Sequence, residues 1–387
     1  MTTAYRTHRV SLLDTFLGER YFEFCRAVLD YGEHLRHWYM RGSIGHSPFS
    51  PWADLPWDEL QGLIAVNLDE PMASLAAARG VATVSVTPDH LNTRLPVVTS
   101  DFRAIGCMGA EHLMARGYAH FAYIGEDSWQ SDLQHEGFSQ TLAAAGRACL
   151  NRTIEKGDSD SISREVRGWL AAFAKPVGVM TVMDYVARFT ANAAADLGLR
   201  MPGEVGVLGV NNNPWASIIA AVPISSVQVD ERRLGRVAAE KLDRLMRGET
   251  VEPMKLIPPL RVVTRRSTDI VLNRDALVSG ALQYIRDHVQ EGITVEDVLA
   301  DAGCSRSTLE KRLKAAVGHT VHHAITRARV EAVKQMLLNT DVSTEQIADR
   351  CGFECLPRLY EAFKRIAGTT PAAYRRSMRN AVPLQST

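Results

Sequence analysis

The sequence predicts an α/β domain followed by an all-α domain. Through about the first 268 residues, short apolar runs alternate with longer amphipathic stretches, as strands and helices do in a parallel sheet. Beyond residues 265–269 the strand-like runs stop, and the pattern up to Arg379 is one of helices and short turns. At 387 residues the chain is also too long for one ordinary core. We therefore expect at least two domains with a boundary near residue 270.

Composition is that of a globular protein, because 46% of the residues are hydrophobic and only 23% are charged. The apolar stretch 10–13 is far too short for a signal sequence or a membrane span, so we expect a cytoplasmic protein. The six cysteines are scattered, which favours reduced thiols. We expect no metal and no cofactor, since neither possible metal group has the paired spacing of a zinc site: Cys25 with His34 and His37, or Cys304 with Cys351 and Cys355.

In the first part of the chain, predicted strands and helices alternate. The strands are predicted over residues 10–13, 62–66, 83–86, 121–124, 177–182 and 205–210. The helices between them include 21–34, 105–116 and 189–197. Breakers lie near the helix ends, where glycine accepts the left-handed conformation: Gly80, Gly117 and Gly198. This alternation predicts the α/β class.

The C-terminal part contains two short predicted helices around a tight turn. Thr294 and Asp297 can form a capping box on the first helix, Gly303 permits the turn, and Ser305 with Thr308 can cap the second. A small shared core is expected from Val298, Leu299, Leu309 and Leu313. A second helix that presents hydroxyls and cations near its N-terminus suits the DNA major groove.

The same arrangement recurs further along the chain, since Gly352 lies 49 residues after Gly303. Ser343 and Gln346 can form the second capping box. Between the two units, residues 321–338 predict one long helix with a common apolar side. A rigid connector of this kind could hold two reading helices about one DNA turn apart, roughly 34 Å.

The formal net charge is zero, which taken alone argues against a nucleic-acid partner. Residues 273–379 nevertheless carry 16 Lys and Arg against 13 Asp and Glu, a net of +3, and the rest of the chain carries −3. This excess is small, and its position on the predicted reading helices is what makes it informative.

The second helix-turn-helix unit resembles the AraC/XylS-type family of transcription regulators. The matching positions are Ile347, Ala348, Gly352, Phe353, Phe363, Lys364, Gly368, Thr370, Pro371, Tyr374 and Arg375. Pro357, Leu359 and Glu361 stand where the family usually has serine, phenylalanine and arginine. Proline is tolerated in a first helical turn, whereas Glu361 would repel phosphate. We therefore expect the second reading helix to contribute less than the first.

The resemblance implies DNA binding, and the alternative is that these are simply small helices packed on one another. Two matching units at the family spacing favour DNA binding. On the first unit we expect contacts from Ser305, Arg306, Ser307, Thr308, Lys311, Arg312 and Lys314. On the second we expect them from Glu354, Leu356, Arg358, Lys364 and Arg365. About as many of these are expected to touch phosphate or water as touch bases.

Residues 1–268 resemble the LacI/GalR-type effector domain, which is similar to periplasmic sugar-binding proteins. The resemblance is carried by residues 99–101, 111–118, 121–125, 182–184, 199–212, 223–228 and 260–268. It implies two lobes that close on a small ligand, one of about 8–118 with 227–250 and the other of about 119–226 with 256–267. The reader domain would be 273–379, followed by a disordered tail, 380–387. A sensor ahead of an AraC/XylS-type reader resembles the xylose-operon type of regulator over nearly the whole chain.

The ligand is expected in the cleft, on the loops that follow the strands. Planar amides, carboxylates and hydroxyls bind sugar hydroxyls, and an aromatic face packs on the sugar C–H side. The candidates are Phe16, Tyr21, Asn67, Asp69, Ser85, Thr87, Trp129, Gln134, Asp184 and Asn211. Asp184 could instead only cap a helix, and Trp129 could be core. Gln134 and Asn211 replace an arginine and an aspartate that such sensors commonly carry, so a sugar other than xylose, a sugar derivative or a sugar acid is expected.

Together these features predict a transcription regulator, expected to activate a carbohydrate-utilisation operon when a small sugar or sugar derivative binds. The expected partners are promoter duplex DNA, that effector, a second copy of the chain and RNA polymerase, with no membrane. An α/β enzyme is one alternative, but the sequence has no Gly-x-Ser-x-Gly elbow, Walker-type loop or His-Glu-x-x-His. A secreted carbohydrate-binding protein is another, opposed by the missing signal sequence and the C-terminal helices.

Overall fold

The computed structural model describes residues 8–14, 22–35, 38–43, 57–68, 70–88, 94–155, 158–270, 275–340 and 342–379. The chain forms two compact units, Met1–Ile270 and Val271–Thr387. The first unit contains two six-stranded sheets, each forming the centre of one lobe, and the second is helical in its described part. The predicted α/β and all-α classes are therefore confirmed.

The first sheet is parallel throughout, with strand order β11-β5-β4-β3-β1-β2. Its strands are β1 (His8–Asp14), β2 (Trp38–Ser43), β3 (Gly62–Val66), β4 (Ala82–Val86), β5 (Val97–Ser100) and β11 (Met254–Ile257). Helices α1 (Phe22–Leu35) and α8 (Glu231–Met246) cover one face, and α2 (Glu70–Ala78) lies on the other. In β3, Ile64 and Val66 face α1 and α8, while Leu63 and Ala65 face α2. A strand buried on both faces reads as a continuous apolar run, which is why the sequence predicted it.

The second sheet has strand order β12-β10-β9-β8-β6-β7, and only its edge strand β12 is antiparallel. Its strands are β6 (His120–Glu126), β7 (Cys149–Ile154), β8 (Val177–Thr181), β9 (Val205–Val210), β10 (Ser225–Gln228) and β12 (Arg261–Val263). Its helices are α3 (Phe102–Ala115), α4 (Trp129–Ala144), α5 (Ser159–Ala172), α6 (Asp184–Asp196) and α7 (Pro214–Ile218).

Helix α3 belongs to the second lobe, which corrects the predicted lobe boundary at residue 118. A Cβ on Gly109 would lie 2.3 Å from the Met180 sulfur of β8, so α3 packs tightly on the second sheet. It also packs on α4, where a Cβ on Gly106 would lie 2.0 Å from the Gln134 carbonyl oxygen. The chain therefore crosses between lobes at Asp101, because the apolar face of α3 is buried against the second sheet.

The helical unit has two apolar clusters that share one long helix. Its helices are α9 (Ala276–His288), α10 (Val295–Ala302), α11 (Arg306–Val317), α12 (Val321–Asn339), α13 (Thr344–Arg350), α14 (Leu356–Ala367) and α15 (Pro371–Arg379). Val321 and Ile325 of α12 join the cluster with α9, α10 and α11. Val333 and Leu337 of the same helix join the cluster with α13 and α14. Each cluster is the core of one helix-turn-helix unit.

The close approach of α3 and α4 gives a test of the second lobe. Gly106→Ala should lower the free energy of unfolding by about 1–3 kcal/mol, because the added methyl would overlap backbone atoms that cannot rotate away. Chemical denaturation followed by circular dichroism measures this. Gly168→Ala on α5 is the matched control, since its Cβ would meet nothing within 4 Å, and it should raise stability by about 0.5–1 kcal/mol. Equal stability of Gly106→Ala and the wild type would contradict the packing.

Candidate functional site

Backbone strain in the first unit is concentrated where strands end. Among the described residues, Asn67, Thr87, Asn211 and Asn212 are the non-glycine residues with positive φ, at 52°, 48°, 94° and 54°. They follow β3, β4 and β9, so they lie at the carboxyl ends of strands in both lobes. Asparagine tolerates this conformation, whereas a β-branched threonine there is a clear outlier. Such strain is typical of ligand-binding loops.

Asp184 fixes the loop that follows β9. The residue is only 4% exposed. One oxygen accepts a 2.6 Å hydrogen bond from the Asn213 backbone N–H, and the other accepts a 2.7 Å bond from the Ser226 hydroxyl. A Cβ on Gly209 would lie 2.1 Å from this second oxygen, so the site requires glycine in β9. Asp184 is thus a buried acceptor with both oxygens engaged by protein donors, at the first residue of α6.

Arg265 holds the same loop through its guanidinium. Its Nη2 donates a 2.6 Å hydrogen bond to the Asn212 side-chain oxygen, and its Nη1 donates a 2.8 Å bond to the Ile224 carbonyl. Burial lowers the pKa of Arg265, and the nearby Asp184 carboxylate opposes that shift. The Asn212 backbone N–H also donates to Ser226 Oγ at 2.8 Å. The loop after β9 is therefore held by hydrogen bonds to Asp184, Ser226 and Arg265.

A hydrogen-bond network continues from Arg265 to the end of the first unit. Ser225 Oγ accepts from the Arg265 backbone N–H at 2.8 Å and from the Thr268 hydroxyl at 2.7 Å. Since that hydroxyl proton is used, His112 Nε2 donates to Thr268 Oγ1, 2.8 Å away. Burial, and secondarily Arg116, lower the pKa of His112 from 6.5 to about 3. The network ties α3 to the segment 264–270.

Trp129 connects the two lobes. Its indole N–H donates a 2.9 Å hydrogen bond to the carbonyl of Pro88, just after β4, and its ring packs edge-on against Phe102 at 5.3 Å between centroids. On the first lobe, the Thr87 and Thr99 hydroxyl oxygens are 3.2 Å apart. The buried Ser85 Oγ finds no hydrogen-bond partner in the part of the chain that the structure describes.

The predicted ligand residues are thus only partly brought together. The residues at the carboxyl ends of strands are Asn67, Thr87, Asp184 and Asn211. Gln134 is 1% exposed and accepts a hydrogen bond from Tyr123, whose pKa is raised mainly by burial. Phe16, Tyr21 and Asp69 lie outside the described residues. The sequence analysis did not single out Asn212, Asn213, Ser226 and Arg265, whose hydrogen bonds shape the loop after β9. A run of three asparagines directly after a buried strand was the available signal.

In the first helix-turn-helix unit, both predicted caps are present. Thr294 and Asp297 form the capping box of α10, Gly303 is left-handed, and Ser305 accepts from the Thr308 N–H at the start of α11. Leu309 and Leu313 are buried, so the opposite side of α11 carries its exposed residues. Ser307, Lys311 and Lys314 are among these exposed residues. Ion pairs engage two other cations: Arg306 with Glu296 at 3.7 Å, and Arg312 with Asp275 at 3.1 Å.

The second helix-turn-helix unit has a similar backbone to the first and a different surface. Ser343 and Gln346 form its capping box, and Gly352 is left-handed with φ of 71°. On α14 the outward positions that correspond to Ser307, Lys311 and Lys314 are Pro357, Glu361 and Lys364. Arg358 pairs with Glu361 at 3.9 Å, and Lys364, Arg365 and Glu354 are exposed. Leu356 is half-buried against the second cluster, so part of its surface belongs to the core.

Arg329 of α12 connects the two clusters. Its guanidinium donates a 3.0 Å hydrogen bond to the Ile293 carbonyl, in the loop before α10, and lies 5.9 Å from the centre of the Phe353 ring. Burial lowers its pKa, and Glu354 opposes that shift. With 19 residues α12 is about 28 Å long. The two helix-turn-helix units therefore share one continuous helix, α12, and Arg329 bonds that helix to the loop before α10.

Within the described residues, neither a metal-binding cluster nor a membrane-spanning helix is present. No group of three or more His, Cys, Asp or Glu side chains there could hold a metal ion. Cys304 lies against the first helical cluster and Cys351 within the second. No helix in those ranges combines the length and apolar character needed to cross a bilayer.

Comparison with known proteins agrees with this architecture. Residues 110–268 match the periplasmic binding protein-like domain family, and residues 298–377 match a helix-turn-helix domain family. A ligand-binding type of α/β domain joined to paired helix-turn-helix units defines a transcription regulator that senses a small molecule.

Full-length relatives make the assignment specific. The xylose operon regulatory protein of Escherichia coli K12 is 33% identical over 84% of this chain and 82% of its own length. Its counterpart in Haemophilus influenzae is 26% identical over 82% of this chain and 85% of its own. The structure of a xylose-binding transcription activator superposes with a TM-score of 0.75 at 28% identity, covering 96% of this chain and 98% of the other. The chain belongs to the family of xylose operon regulatory proteins and is a DNA-binding transcription regulator rather than an enzyme.

The buried neutral His112 predicts a specific pH dependence of stability. Its pKa is lowered in the folded state, so its contribution is complete above pH 6.5 and is lost as the pH falls toward 3. Between pH 7 and pH 5 the wild type should lose about 2 kcal/mol from this group. His112→Gln keeps an N–H donor and should show a correspondingly shallower loss in denaturation curves at the two pH values. His120→Gln, at an exposed site, should retain the wild-type loss; identical pH profiles for His112→Gln and the wild type would contradict the assignment.

Proposed function

We propose that a sugar or sugar-derived molecule binds between the two lobes of the first unit and controls DNA binding by the second. The observation that carries this proposal is the set of strained Asn and Thr residues at the carboxyl ends of strands in both lobes, in a chain that also bears paired helix-turn-helix units. Such edges are where open α/β sheets bind ligands. The relatives' names, which refer to the xylose operon and to xylose binding, support the same ligand class.

The groups proposed to contact the ligand are planar amides, hydroxyls and aromatic rings. Asn67 and Asn211 would hydrogen bond to ligand hydroxyls, with further contacts from the other predicted residues: Phe16, Tyr21, Asp69, Ser85, Thr87, Trp129, Gln134 and Asp184. Because Asp184 already accepts two protein hydrogen bonds, we assign it mainly to the shape of the loop. Gln134 and Asn211 carry no charge, so we propose a ligand other than xylose, such as a different sugar, a derivative or a sugar acid.

Ligand can change DNA binding only if its affinities for the two conformational states differ. Ligand binding would favour the closed arrangement of the lobes and a protein form suited to the promoter. We propose that the active form is a homodimer in the cytoplasm that activates a carbohydrate-utilisation operon together with RNA polymerase. The two reading helices would enter successive major grooves, about 34 Å apart.

The ligand is tested by thermal shift on the full chain with pentoses, hexoses, sugar acids and polyols. D-xylose serves as the reference because the relatives are named for it. One panel member should raise the melting temperature and D-xylose should raise it less, because a ligand that prefers the folded state stabilises it by mass action. The same sugar should change the affinity for the chain's own promoter region in an anisotropy titration. If no panel member changes that affinity, the sensor proposal is wrong.

Lys311 tests the DNA interface. Lys311→Ala removes an exposed cation from the outward face of α11, so it should weaken promoter binding and reduce the salt slope of log K by about 1. Binding titrations between about 50 and 200 mM salt measure this slope. Lys255→Ala makes the same change in net charge on the first unit, where Lys255 pairs with Glu252, and should leave the slope unchanged. An unchanged slope for Lys311→Ala would exclude this residue from the interface.

A further inference from the structure

We propose that Arg265 is a positioning residue that couples the Asn211–Asn213 loop to the segment 264–270, through which the first unit connects to the DNA-binding unit. The inference rests on the proposed ligand site at that loop and assigns its regulation to one side chain. Arg265 and Asn212 are 53 residues apart in sequence and are joined by a 2.6 Å hydrogen bond.

At the loop end of the Arg265–Asn212 hydrogen bond, Asn212 lies next to Asn211, which is proposed to bind the ligand. Asn212 has a left-handed backbone with φ of 54°, next to Asn211 at 94°. Its backbone N–H donates to Ser226 Oγ, and its side-chain oxygen accepts from Arg265. A ligand that binds Asn211 would shift its neighbour Asn212. Any such shift changes the length or angle of the bond to Arg265.

The other end of the link is the backbone of Arg265 itself. The Arg265 N–H donates to Ser225 Oγ, and the Arg265 carbonyl accepts from that same hydroxyl at 2.9 Å. The Thr268 backbone N–H donates to the Arg265 carbonyl at 3.2 Å, and the Ile270 N–H donates to the Thr268 carbonyl at 2.8 Å. Movement of Arg265 therefore reaches Ile270 through consecutive bonds. Only residues 271–274 separate Ile270 from the N-cap of α9.

Segment 264–270 is also bonded to the second lobe. It is therefore not a free tail that could absorb a displacement of Arg265. Ser267 is fully buried, its N–H donates to the Pro223 carbonyl at 3.1 Å, and its carbonyl accepts from the Val207 N–H at 3.0 Å. Ile270 is 4% exposed. Val207 belongs to β9, the strand that leads into the Asn loop, so the loop and the segment share one support. Packed segments of this kind switch between discrete arrangements rather than bending continuously.

The chemistry of the link requires arginine. A planar guanidinium presents several N–H groups in fixed directions, and here two of its nitrogens bond to acceptors on different strand ends, Asn212 and Ile224. Lysine keeps the charge and has one ammonium group on a flexible stem, so it cannot hold both acceptors in the same geometry. Arg266 is the next residue and is exposed, which makes it the matched control.

The coupling is tested by hydrogen exchange in a double-mutant cycle on the full chain. Arg265→Lys removes the planar guanidinium. Asn212→Gly removes the side-chain oxygen that accepts its hydrogen bond while allowing the left-handed backbone. Each change should speed amide exchange of residues 266–270 by about tenfold, and the double variant should exchange no faster than the faster single variant, because both changes break the same link. Arg266→Lys should exchange as the wild type does. Neither sugar nor DNA is needed.

A functional readout separates coupling from a merely structural role. The promoter affinity of each variant is measured with and without D-xylose and with and without the panel sugar that most raises the wild-type melting temperature. Arg265→Lys should keep promoter binding within about threefold of the wild type without sugar and lose most of the sugar-dependent change, as expected when coupling rather than binding is removed. Arg266→Lys should keep the full change.

Three results would overturn the inference: additive exchange effects of the two substitutions, no change at residues 266–270 in Asn212→Gly, or an unaltered sugar response in Arg265→Lys. The exchange measurement on Asn212→Gly still tests the inference if Arg265→Lys fails to fold. If the wild type responds to no sugar, the proposed function fails, while the exchange cycle still decides whether the loop and the segment are coupled.

Discussion

The carboxylate of Asp184 is the constraint on which the loop after β9 depends. A buried carboxylate is costly unless donors satisfy it, and here the donors are the Asn213 backbone and the Ser226 hydroxyl. Those bonds fix where the chain turns after β9, and the turn is tight enough that Asn211 and Asn212 adopt positive φ. The requirement for glycine in β9 follows from the same contact, since Asp184 occupies the space of a Cβ on Gly209.

A second constraint organises the helical unit. Helix α12 supplies Val321 and Ile325 to one cluster and Val333 and Leu337 to the other, so neither helix-turn-helix unit has a complete core without it. The two reading helices therefore share a support while differing in charge. At the corresponding outward position α11 has Lys311 and α14 has Glu361, so the electrostatic attraction of α11 for phosphate exceeds that of α14.

Local signals explain which elements could be predicted. The capping boxes at Thr294 and Ser343 depend on residues three apart, and the buried strands β3, β8 and β9 are continuous apolar runs. Strands β7 and β12 were missed because they lie at sheet edges, where β7 exposes four of its six residues and β12 is only partly buried. Helix α6 begins at Asp184, before the predicted start at residue 189, since its first turn is fixed by bonds to distant residues.

By itself, then, the sequence determined the two domain classes and the paired helix-turn-helix units, because these depend on periodicity, capping and breakers within a few residues. The tertiary structure alone decided which lobe receives α3, how Trp129 reaches Pro88, and that Arg265 bonds to Asn212. These contacts join residues from 41 to 53 positions apart or depend on the closeness of two packed helices. No local pattern encodes them, since they exist only once burial has brought separate strands and helices together.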